Sequence, residues 1–247
     1  MACDKCGGSG WLILERDGIS AAEKCNCSLE GRSAKLIEAA QIPPAYKDAS
    51  VYNFLLPDDN SIGRSALGKT VTDVKKYARS FMTLPKSGLM LIGETGTGKT
   101  HLAVGALRQM MEDGHQGLFF DYQNLLDRIR ASYNAASGAS DREAFRSTLD
   151  AEVLLLDDLG AHRVNDWVED TVTSIITWRC NHRKTTLVTT NLTDPDVGGA
   201  TLHGADTLAQ RIGQRARSRL FEMCKVIRMP QVEDYRVRSQ RAQASTG

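Results

Sequence analysis

Eight consecutive residues, "GETGTGKT" at 93–100, have the types and spacing that hold phosphate groups. They fit the pattern G-x-x-x-x-G-K-[ST] with Gly93, Gly98, Lys99 and Thr100. Glycines allow successive backbone N–H groups to curl around phosphate oxygens, and the start of a following helix adds its dipole. We expect Lys99 to reach the β- and γ-phosphates of ATP, and the Thr100 hydroxyl to ligate Mg²⁺.

The predicted nucleotide-binding residues are those of the loop and of the first turn of its helix, which surround the phosphates in this motif. They are Gly93, Glu94, Thr95, Gly96, Thr97, Gly98, Lys99, Thr100 and His101. The last of these could tune the phosphate site. A packed or solvent-facing histidine is the alternative interpretation of the same residue.

Two further polar groups follow apolar segments, in "VLLLDDLG" at 153–160 and in "LVTTN". Ligands of open α/β sheets bind beyond the carboxyl ends of the strands. We expect Asp157 to hold Mg²⁺, directly or through water, and Asp158 to orient or deprotonate the attacking water. Asn191 is expected to hydrogen-bond the γ-phosphate or that water. The alternatives are helix caps for the aspartates and an ordinary turn residue for Asn191.

Four cysteines near the N-terminus have the spacing of a metal site. They form the pairs Cys3 with Cys6 and Cys25 with Cys27, and four thiolates satisfy Zn²⁺ in tetrahedral geometry. The sequence between the pairs predicts a small β-hairpin that turns at "RDG", residues 16–18. So short a segment cannot bury a useful core, so zinc is expected to supply the folding energy. The alternative is an unstructured tail with free thiols.

The elements that position these groups are an alternation of strands and helices. Apolar runs predict five strands, at 88–93, 117–122, 151–160, 185–191 and 225–229. Such continuous apolar strands, alternating with helices, indicate a parallel sheet covered on both faces. The fold class predicted is therefore α/β with a five-stranded parallel sheet, preceded by a small N-terminal zinc-binding module.

Four segments are expected along the chain, with a boundary near the helix-breaking prolines of "IPPAY". They are a cysteine-rich zinc module at 1–30, a helix and linker at 31–62, a nucleotide-binding domain at 63–240, and a disordered tail at 241–247. No apolar run reaches the ~20 residues that span a bilayer, and the N-terminus has no signal-peptide core. We therefore expect a cytoplasmic protein with no membrane partner.

The charged residues are distributed unevenly. Residues 1–60 contain six Lys and Arg against nine Asp and Glu, a net charge of −3. Residues 201–247 contain nine against four, a net charge of +5. A basic end of the chain suits the phosphates of a nucleotide or a nucleic acid, and a solvated helix face is the alternative.

The order of the motifs resembles the AAA+ ATPases, and closely the DnaC/DnaI-type helicase loaders and their IstB-like relatives. The similarity covers about residues 40–240. It rests on "IPPAYKDASVYNF", "GETGTGKTHLA", "VLLLDDLG", "LVTTNL", "LAQRIGQRARSRL" and "EDYRVR", in that order. The resemblance implies an AAA+ P-loop fold and an ATP-dependent loader that places the replicative DNA helicase on single-stranded DNA, with nucleotide as an assembly and release switch.

The same resemblance implies roles for residues that spacing alone does not assign. Arg219 matches the arginine finger that reaches the ATP of a neighbouring subunit, and Arg215 is the second candidate. Arg236, in "DYR", matches the sensor-2 arginine that contacts nucleotide in its own subunit. Residues 42–54 match the segment beside the adenine. A finger acting in trans requires self-association through the ATP site, and a solvated helix residue is the alternative for each arginine.

The catalytic set expected for ATP hydrolysis combines the motif residues with the implied arginines. It consists of Lys99, Asp157, Asp158, Asn191, Arg219 and Arg236, with ATP, Mg²⁺ and Zn²⁺ as the cofactors. Many AAA+ ATPases have glutamate at the position of Asp158, whose side chain is one methylene shorter. The DnaI-type branch also has a double aspartate, so the shorter side chain does not imply inactivity. We expect hydrolysis that is slow and stimulated by partners.

The expected partners follow from the resemblance. The zinc module is expected to dock the replicative helicase, and the ATPase ring to grip single-stranded DNA through an exposed aromatic or basic residue in 121–150. Four arginines are candidates for DNA contact, Arg128, Arg130, Arg142 and Arg146. Two other functions stay open: an IstB-like ATPase helper of a DNA transposase, and a non-catalytic adaptor that binds nucleotide only to stabilise its fold.

Overall fold

A computed structural model of the chain contains a two-stranded hairpin and a five-stranded parallel sheet with helices on both faces. The structure describes residues 3–7, 9, 11–16, 19–58, 60–132, 139–162, 164–198 and 206–244. Within these ranges, none of the helices is both long enough and apolar enough to cross a membrane.

The hairpin and the first helix follow one another directly. Strand β1 (Trp11–Arg16) pairs antiparallel with β2 (Ile19–Lys24), which confirms the predicted hairpin. Residues 17 and 18 of the predicted turn lie outside the described residues. Helix α1 (Asn26–Ala39) begins immediately after Cys25 and runs without a break across the expected boundary between residues 30 and 31.

The central sheet confirms the five predicted strands. They are β3 (Gly88–Ile92), β4 (Gly117–Asp121), β5 (Val153–Asp157), β6 (Thr185–Thr190) and β7 (Cys224–Arg228). Their order is β4-β5-β6-β3-β7, and every neighbouring pair is parallel. Strands β3, β5 and β6 are buried along their whole length, as expected for parallel strands covered by helices on both faces. Strand β5 is shorter than the predicted strand at 151–160, because the chain turns at Asp158 with φ = 57°.

Eight more helices are described. They are α2 (Ser61–Ser80), α3 (Lys99–Glu112), α4 (Tyr122–Ala131), α5 (Ala139–Asp150), α6 (Asp166–Asn181), α7 (Leu208–Ile212), α8 (Gln214–Met223) and α9 (Tyr235–Ala244). Helix α9 extends to Ala244, into the segment 241–247 for which a disordered tail is predicted. Residues 245–247 lie outside the described residues.

Alternation along β3 separates two layers of the core. Leu89 and Leu91 pack into the cluster formed with α2 and α3, whereas Met90 and Ile92 pack into the cluster formed with α6, α7 and α8. Successive side chains of a strand point to opposite faces, so a continuously apolar strand joins the two layers. The loop that follows β3 is thereby fixed between them.

Helix α1 joins the cysteine-rich segment to the sheet. The Ser33 hydroxyl donates to the carbonyl of Glu112 at the end of α3, at 3.3 Å. The backbone N–H of Phe119 donates to the carbonyl of Ala40 at 2.8 Å, so the residue after α1 covers part of the outer edge of β4. Edge strands left open invite unwanted pairing, and this contact removes one such opening.

A fully buried arginine ties α6 to its surroundings. The guanidinium of Arg179 donates to the Thr186 hydroxyl at 2.8 Å and to the carbonyls of Thr148 at 2.7 Å, Ala151 at 3.0 Å and Thr185 at 2.5 Å. These acceptors belong to the end of α5, the loop before β5 and the start of β6. The arginine therefore replaces water for a set of carbonyls that would otherwise be buried without donors.

We predict that Arg179→Leu lowers the free energy of unfolding by about 3 kcal/mol or more, because several buried acceptors lose their donor. The measurement is urea unfolding followed by circular dichroism. Arg146→Leu, the same change on the exposed face of α5, serves as the control and is expected to change stability by about 0.5 kcal/mol or less. Equal stability of the two variants would contradict the role assigned to Arg179.

Candidate nucleotide-binding site

The loop between β3 and α3 has a backbone that its glycines make possible. Gly96 and Gly98 have φ values of 80° and 89°, in the left-handed region where glycine carries no steric penalty. A Cβ atom at Gly98 would lie 2.6 Å from a ring carbon of Phe54. The chain therefore turns sharply after the strand, and α3 starts at Lys99 with its free N–H groups facing the loop.

Lys99 is buried within this loop. Its Nζ donates to the carbonyls of Gly93 at 2.8 Å and Glu94 at 2.7 Å. Burial lowers the pKa of Lys99 to about 8, while the negative charges of Asp158 and Asp157 oppose that shift. A partly desolvated ammonium group held by neutral carbonyls is ready to exchange them for the oxygens of an anionic phosphate.

The two expected Mg²⁺ ligands lie next to each other. The Thr100 hydroxyl donates to one carboxylate oxygen of Asp157 at 3.2 Å, and the Thr189 hydroxyl donates to the other at 2.6 Å. Burial raises the pKa of Asp157, and the hydrogen bonds from the two threonines oppose that rise. An oxygen-rich pair of this kind, a hydroxyl beside a carboxylate, has the donor chemistry that Mg²⁺ prefers.

Asp158 is held by β6 rather than by its own strand. Its backbone N–H donates to the Thr189 hydroxyl at 2.9 Å, and its carboxylate accepts from the Asn191 side-chain amide at 2.5 Å. Burial raises the pKa of Asp158, and the charge of Lys99 opposes the rise. Asn191 thus contacts the aspartate expected to act on water, a role that sequence reasoning did not assign to it.

These groups surround a cavity of about 370 Å³. The cavity is lined by Tyr46, Thr95, Gly96, Gly98, Lys99, Thr100, His101, Asp121, Asp157, Asp158, Thr189, Asn191, Tyr235 and Arg236. Three loop residues predicted from sequence are absent from this lining, Gly93, Glu94 and Thr97. Tyr46 lies within 42–54, the segment expected beside the adenine, whereas sequence reasoning missed three others, Asp121, Thr189 and Tyr235. The rule that ligands bind at the carboxyl ends of strands could have found Asp121 and Thr189.

Two ring side chains that line the cavity, His101 and Tyr235, pack against Phe54. Phe54 stacks on Tyr235 with ring centroids 4.8 Å apart, and His101 meets the edge of Phe54 at 5.5 Å. His101 Nε2 lies 3.0 Å from the carbonyl of Ser50 and 2.9 Å from the side-chain oxygen of Asn53. Burial lowers the pKa of His101. This histidine is therefore packed, as its alternative interpretation stated, and also lines the cavity.

The arginines divide into two groups. Arg236, at the start of α9, lines the cavity. Arg219 lies outside the cavity lining and donates to the carboxylate of Glu222 at 2.7 Å. Arg215, one turn earlier on the same face of α8, is exposed and also lies outside the lining. A single chain therefore brings one of the three implied arginines to the nucleotide cavity.

The cysteines form a second cluster, apart from the cavity. The sulfur atoms of Cys3, Cys6, Cys25 and Cys27 all lie within 4.8 Å of one another. The Cys3 and Cys25 sulfurs are 3.9 Å apart, and the Cys6 and Cys27 sulfurs are 3.3 Å apart. The fold thus brings together all four residues that the spacing singled out.

Comparison with known proteins identifies the class. Residues 30–244 match the family model described as IstB-like ATP binding protein, and the chain belongs to this family. Among solved structures it is similar to a crystal structure of the DnaC helicase loader, with a TM-score of 0.62 and 28% identity over 76% of this chain and 100% of that one. It also resembles DnaI, with a TM-score of 0.56 and 20% identity over 80% and 98% of the two chains.

Two curated relatives have similar sequences. Phage-like element PBSX protein XkdC of Bacillus subtilis is 22% identical over 228 residues, which are 90% of this chain and 79% of that protein. The replicative helicase loader DnaC of Buchnera aphidicola subsp. Baizongia pistaciae is 22% identical over 124 residues, half of each chain. The resemblance inferred from the motifs is confirmed, as is the α/β fold with the five-stranded sheet of AAA+ P-loop ATPases.

We predict that ATP binding takes up a proton near pH 8, because the phosphates favour the charged form of Lys99, whose pKa is about 8 in the free protein. ATP affinity should then fall about tenfold between pH 7 and pH 9. Isothermal titration calorimetry at pH 8, in buffers of different ionisation enthalpy, measures the uptake. Lys99→Arg stays charged and should show a flatter pH profile. Equal profiles without proton uptake would contradict the shifted pKa.

Proposed function

We propose that the chain is an ATP-dependent loader of the replicative DNA helicase onto single-stranded DNA, in which nucleotide controls assembly and release. The observation that supports this most is the convergence of Lys99, Thr100, Asp157 and Asp158 on one cavity. They do so in a chain that matches the DnaC helicase loader structure over that structure's whole length. Bound ATP would favour an assembled state, and its hydrolysis would favour release.

The phosphate end of ATP would be held by the loop and its helix. Lys99 Nζ would exchange the carbonyls of Gly93 and Glu94 for β- and γ-phosphate oxygens, and Arg236 would contact the nucleotide from the same chain. Thr100 and Asp157 would hold Mg²⁺. The ion would neutralise part of the charge on the phosphates.

Hydrolysis would depend on the pair of Asp158 and Asn191. The amide of Asn191 orients the carboxylate of Asp158, which would orient the attacking water or accept its proton. Burial raises the pKa of Asp158, so the carboxylate is a stronger base than an exposed aspartate. The aspartate side chain is nevertheless short, and we propose that turnover is slow until partners adjust the approach of the water.

A second copy of the chain would complete the site. Arg219, with Arg215 as the second candidate, would extend from α8 of one copy to the γ-phosphate bound by its neighbour. Arg219 is partly exposed, and its present partner Glu222 is more so. An exposed ion pair of this kind contributes about 1 kcal/mol or less, so the charge of a phosphate can replace it.

The four cysteines are proposed to hold a structural Zn²⁺. Tetrahedral zinc with Zn–S bonds of about 2.3 Å separates its sulfurs by ~3.8 Å. The separation of 3.9 Å for Cys3 and Cys25 is close to that value, that of 3.3 Å for Cys6 and Cys27 is shorter, and all four sulfurs lie within 4.8 Å of one another. Zinc would fix the hairpin to the start of α1 and supply folding free energy that so small a module lacks.

The zinc module is proposed to dock the helicase. Trp11 and Ile13 lie on one face of the hairpin, and they are 50% and 78% exposed. Large apolar side chains that remain this exposed on a rigid element suit a protein partner. Helix α1 would transmit the docked position to the ATPase core, because it begins immediately after Cys25 and the residue that follows it, Ala40, accepts a hydrogen bond from β4.

Single-stranded DNA is proposed to contact the arginines on and near α4 and α5. Arg130 packs over the ring of Trp167 at 4.6 Å, and Arg128 lies 5.6 Å from the ring of Phe120. Arg146 is exposed on α5, and the side chain of Arg142 lies outside the described residues. Arginines supported by aromatic rings combine charge with a planar surface, which suits a flexible phosphate backbone and its bases.

The second candidate function is an ATPase helper of a DNA transposase. It is supported by the family model itself, whose description names IstB-like proteins. The matched range begins at residue 30, so the cysteine cluster at Cys3, Cys6, Cys25 and Cys27 lies outside it. A separate N-terminal module is more useful to a loader that must hold a helicase, which is why we place the loader first.

We predict that native mass spectrometry detects one zinc ion per chain and a complex with the same organism's replicative helicase that depends on a non-hydrolysable ATP analogue. The variant Cys3→Ser/Cys6→Ser should lose both zinc and the helicase while it still binds nucleotide. Cys180→Ser, outside the cluster, is the matched control and should keep both. Lys99→Ala should keep zinc but should fail to form the helicase complex with the ATP analogue, because it does not bind the nucleotide.

Absence of the complex in both nucleotide states, with zinc bound, would contradict the loader. Transposase and target DNA would then be the partners to test. A helicase complex that survives loss of the cysteine pair would leave the loader in place and refute the docking role of the module.

A further inference from the structure

Helix α8 carries the two candidate finger arginines but has a weakly defined start. It is joined to α7 by Gly213 alone, whose φ of 81° lies in the left-handed region. No side chain caps its first turn. On its inner face, Ala216 and Leu220 are fully buried against the core. Phe221 and Met223 pack against the same cluster. Apolar contacts are not directional, so they fix the rotation of the helix about its own axis less sharply than hydrogen bonds do, and that rotation sets the direction of Arg215 and Arg219.

A second restraint on α8 comes from Arg217, which lies about 100° around the axis from Ala216 and about 60° from Leu220. The guanidinium of Arg217 donates from Nε and Nη2 to the two carboxylate oxygens of Asp194, each at 2.6 Å. Nη2 also donates to Asp196 at 2.5 Å, and the group stacks over the ring of Phe221 at 4.3 Å. The Asp194 side chain is 0% exposed and that of Arg217 is 13% exposed. We call this bidentate pair the Asp194–Arg217 clasp.

The acidic half of the clasp is fixed by its own backbone. Asp194 follows Asn191 by three residues, and its carboxylate accepts from the backbone N–H of Asp196 at 3.1 Å. The carbonyl of the preceding Thr193 accepts from the N–H of Leu208 at 2.9 Å. Although burial opposes ionisation, the hydrogen bonds from Arg217 and Asp196 hold the pKa of Asp194 below its ordinary value. The carboxylate is therefore a charged and immobile anchor.

The geometry of a helix relates the clasp to the fingers. Arg215 and Arg219 are each two residues from Arg217, so at about 100° per residue each lies about 160° around the axis from it. The clasp therefore holds α8 from the side opposite the two arginines. Neither Asp194 nor Arg217 lines the nucleotide cavity, so the clasp acts on the nucleotide only through what it positions.

We propose that Asp194 and Arg217 are positioning residues, which hold α8 at the rotation that presents Arg215 and Arg219 to the nucleotide site of a neighbouring copy. This inference rests on the proposed function, in which an arginine of one chain acts on ATP bound by another. A bidentate pair suits the task, because two parallel hydrogen bonds fix orientation as well as distance. Lysine in place of Arg217 would keep the charge and lose that orientation.

Mixing two inactive variants separates the donor of the arginine from the acceptor. Arg219→Ala keeps an intact ATP site, and Lys99→Ala keeps the finger but not ATP. Their mixture should restore hydrolysis at interfaces where the Lys99→Ala chain supplies Arg219 to the ATP bound by the Arg219→Ala chain. Asp194→Asn or Arg217→Lys placed in the Lys99→Ala donor should lower this restored rate at least tenfold. The same changes placed in the Arg219→Ala acceptor should lower it less than twofold.

One control variant and three possible outcomes test the positioning role of Asp194 and Arg217. Ser218→Ala in the donor, an exposed position of α8, should have no effect, and all variants should remain folded by circular dichroism and keep the nucleotide affinity of their parents. Equal losses in donor and acceptor would indicate a general structural role and overturn the inference. Full restoration with the altered donor would also overturn it. Failure of the parent mixture to restore any hydrolysis would instead refute the arginine in trans, and the inference with it.

Discussion

The buried carboxylate of Asp157 is the group around which the nucleotide site is organised. A charge withdrawn from water must find donors, and here they come from two other elements, Thr189 on β6 and Thr100 on α3. Thr189 also accepts from the backbone of Asp158, so one hydroxyl sets both aspartates. Strand β6 lies between β5 and β3 in the sheet, and the phosphate loop follows β3. Strand order and desolvation together therefore bring the loop and the acidic pair to one cavity.

The sequence predicted those parts of the site that depend on local pattern. Continuous apolar strands and the spacing of Gly93, Gly98 and Lys99 located the sheet and the loop. Contacts between distant residues left no such pattern. The stacking of Phe54 on Tyr235 is one example, and the bond from Asn191 to Asp158 is another, since it depends on the left-handed turn at that aspartate. The helix that continues to Ala244 was also missed, because its polar composition resembles that of a disordered tail.

The distribution of charge around the cavity supports the proposal that one chain is incomplete as a catalyst. The cavity contains Lys99 and Arg236 beside a cluster of carboxylates, while the arginines of α8 lie outside it. Charge that develops on the phosphate would therefore be stabilised fully only when a second chain supplies its helix. Helix α1 follows directly from Cys25, and Ala40 after it accepts a hydrogen bond from β4, so one helix links the proposed docking module to the sheet that carries the ATP site.

The measurement that tests this account most directly is the rate of ATP hydrolysis per chain as a function of protein concentration. A site completed by a neighbour gives a rate per chain that rises with concentration and then saturates as copies associate, and Arg219→Ala should abolish the rise. A substantial rate that is independent of concentration, and unchanged by Arg219→Ala, would show that a single chain holds the whole catalytic apparatus and would contradict the account.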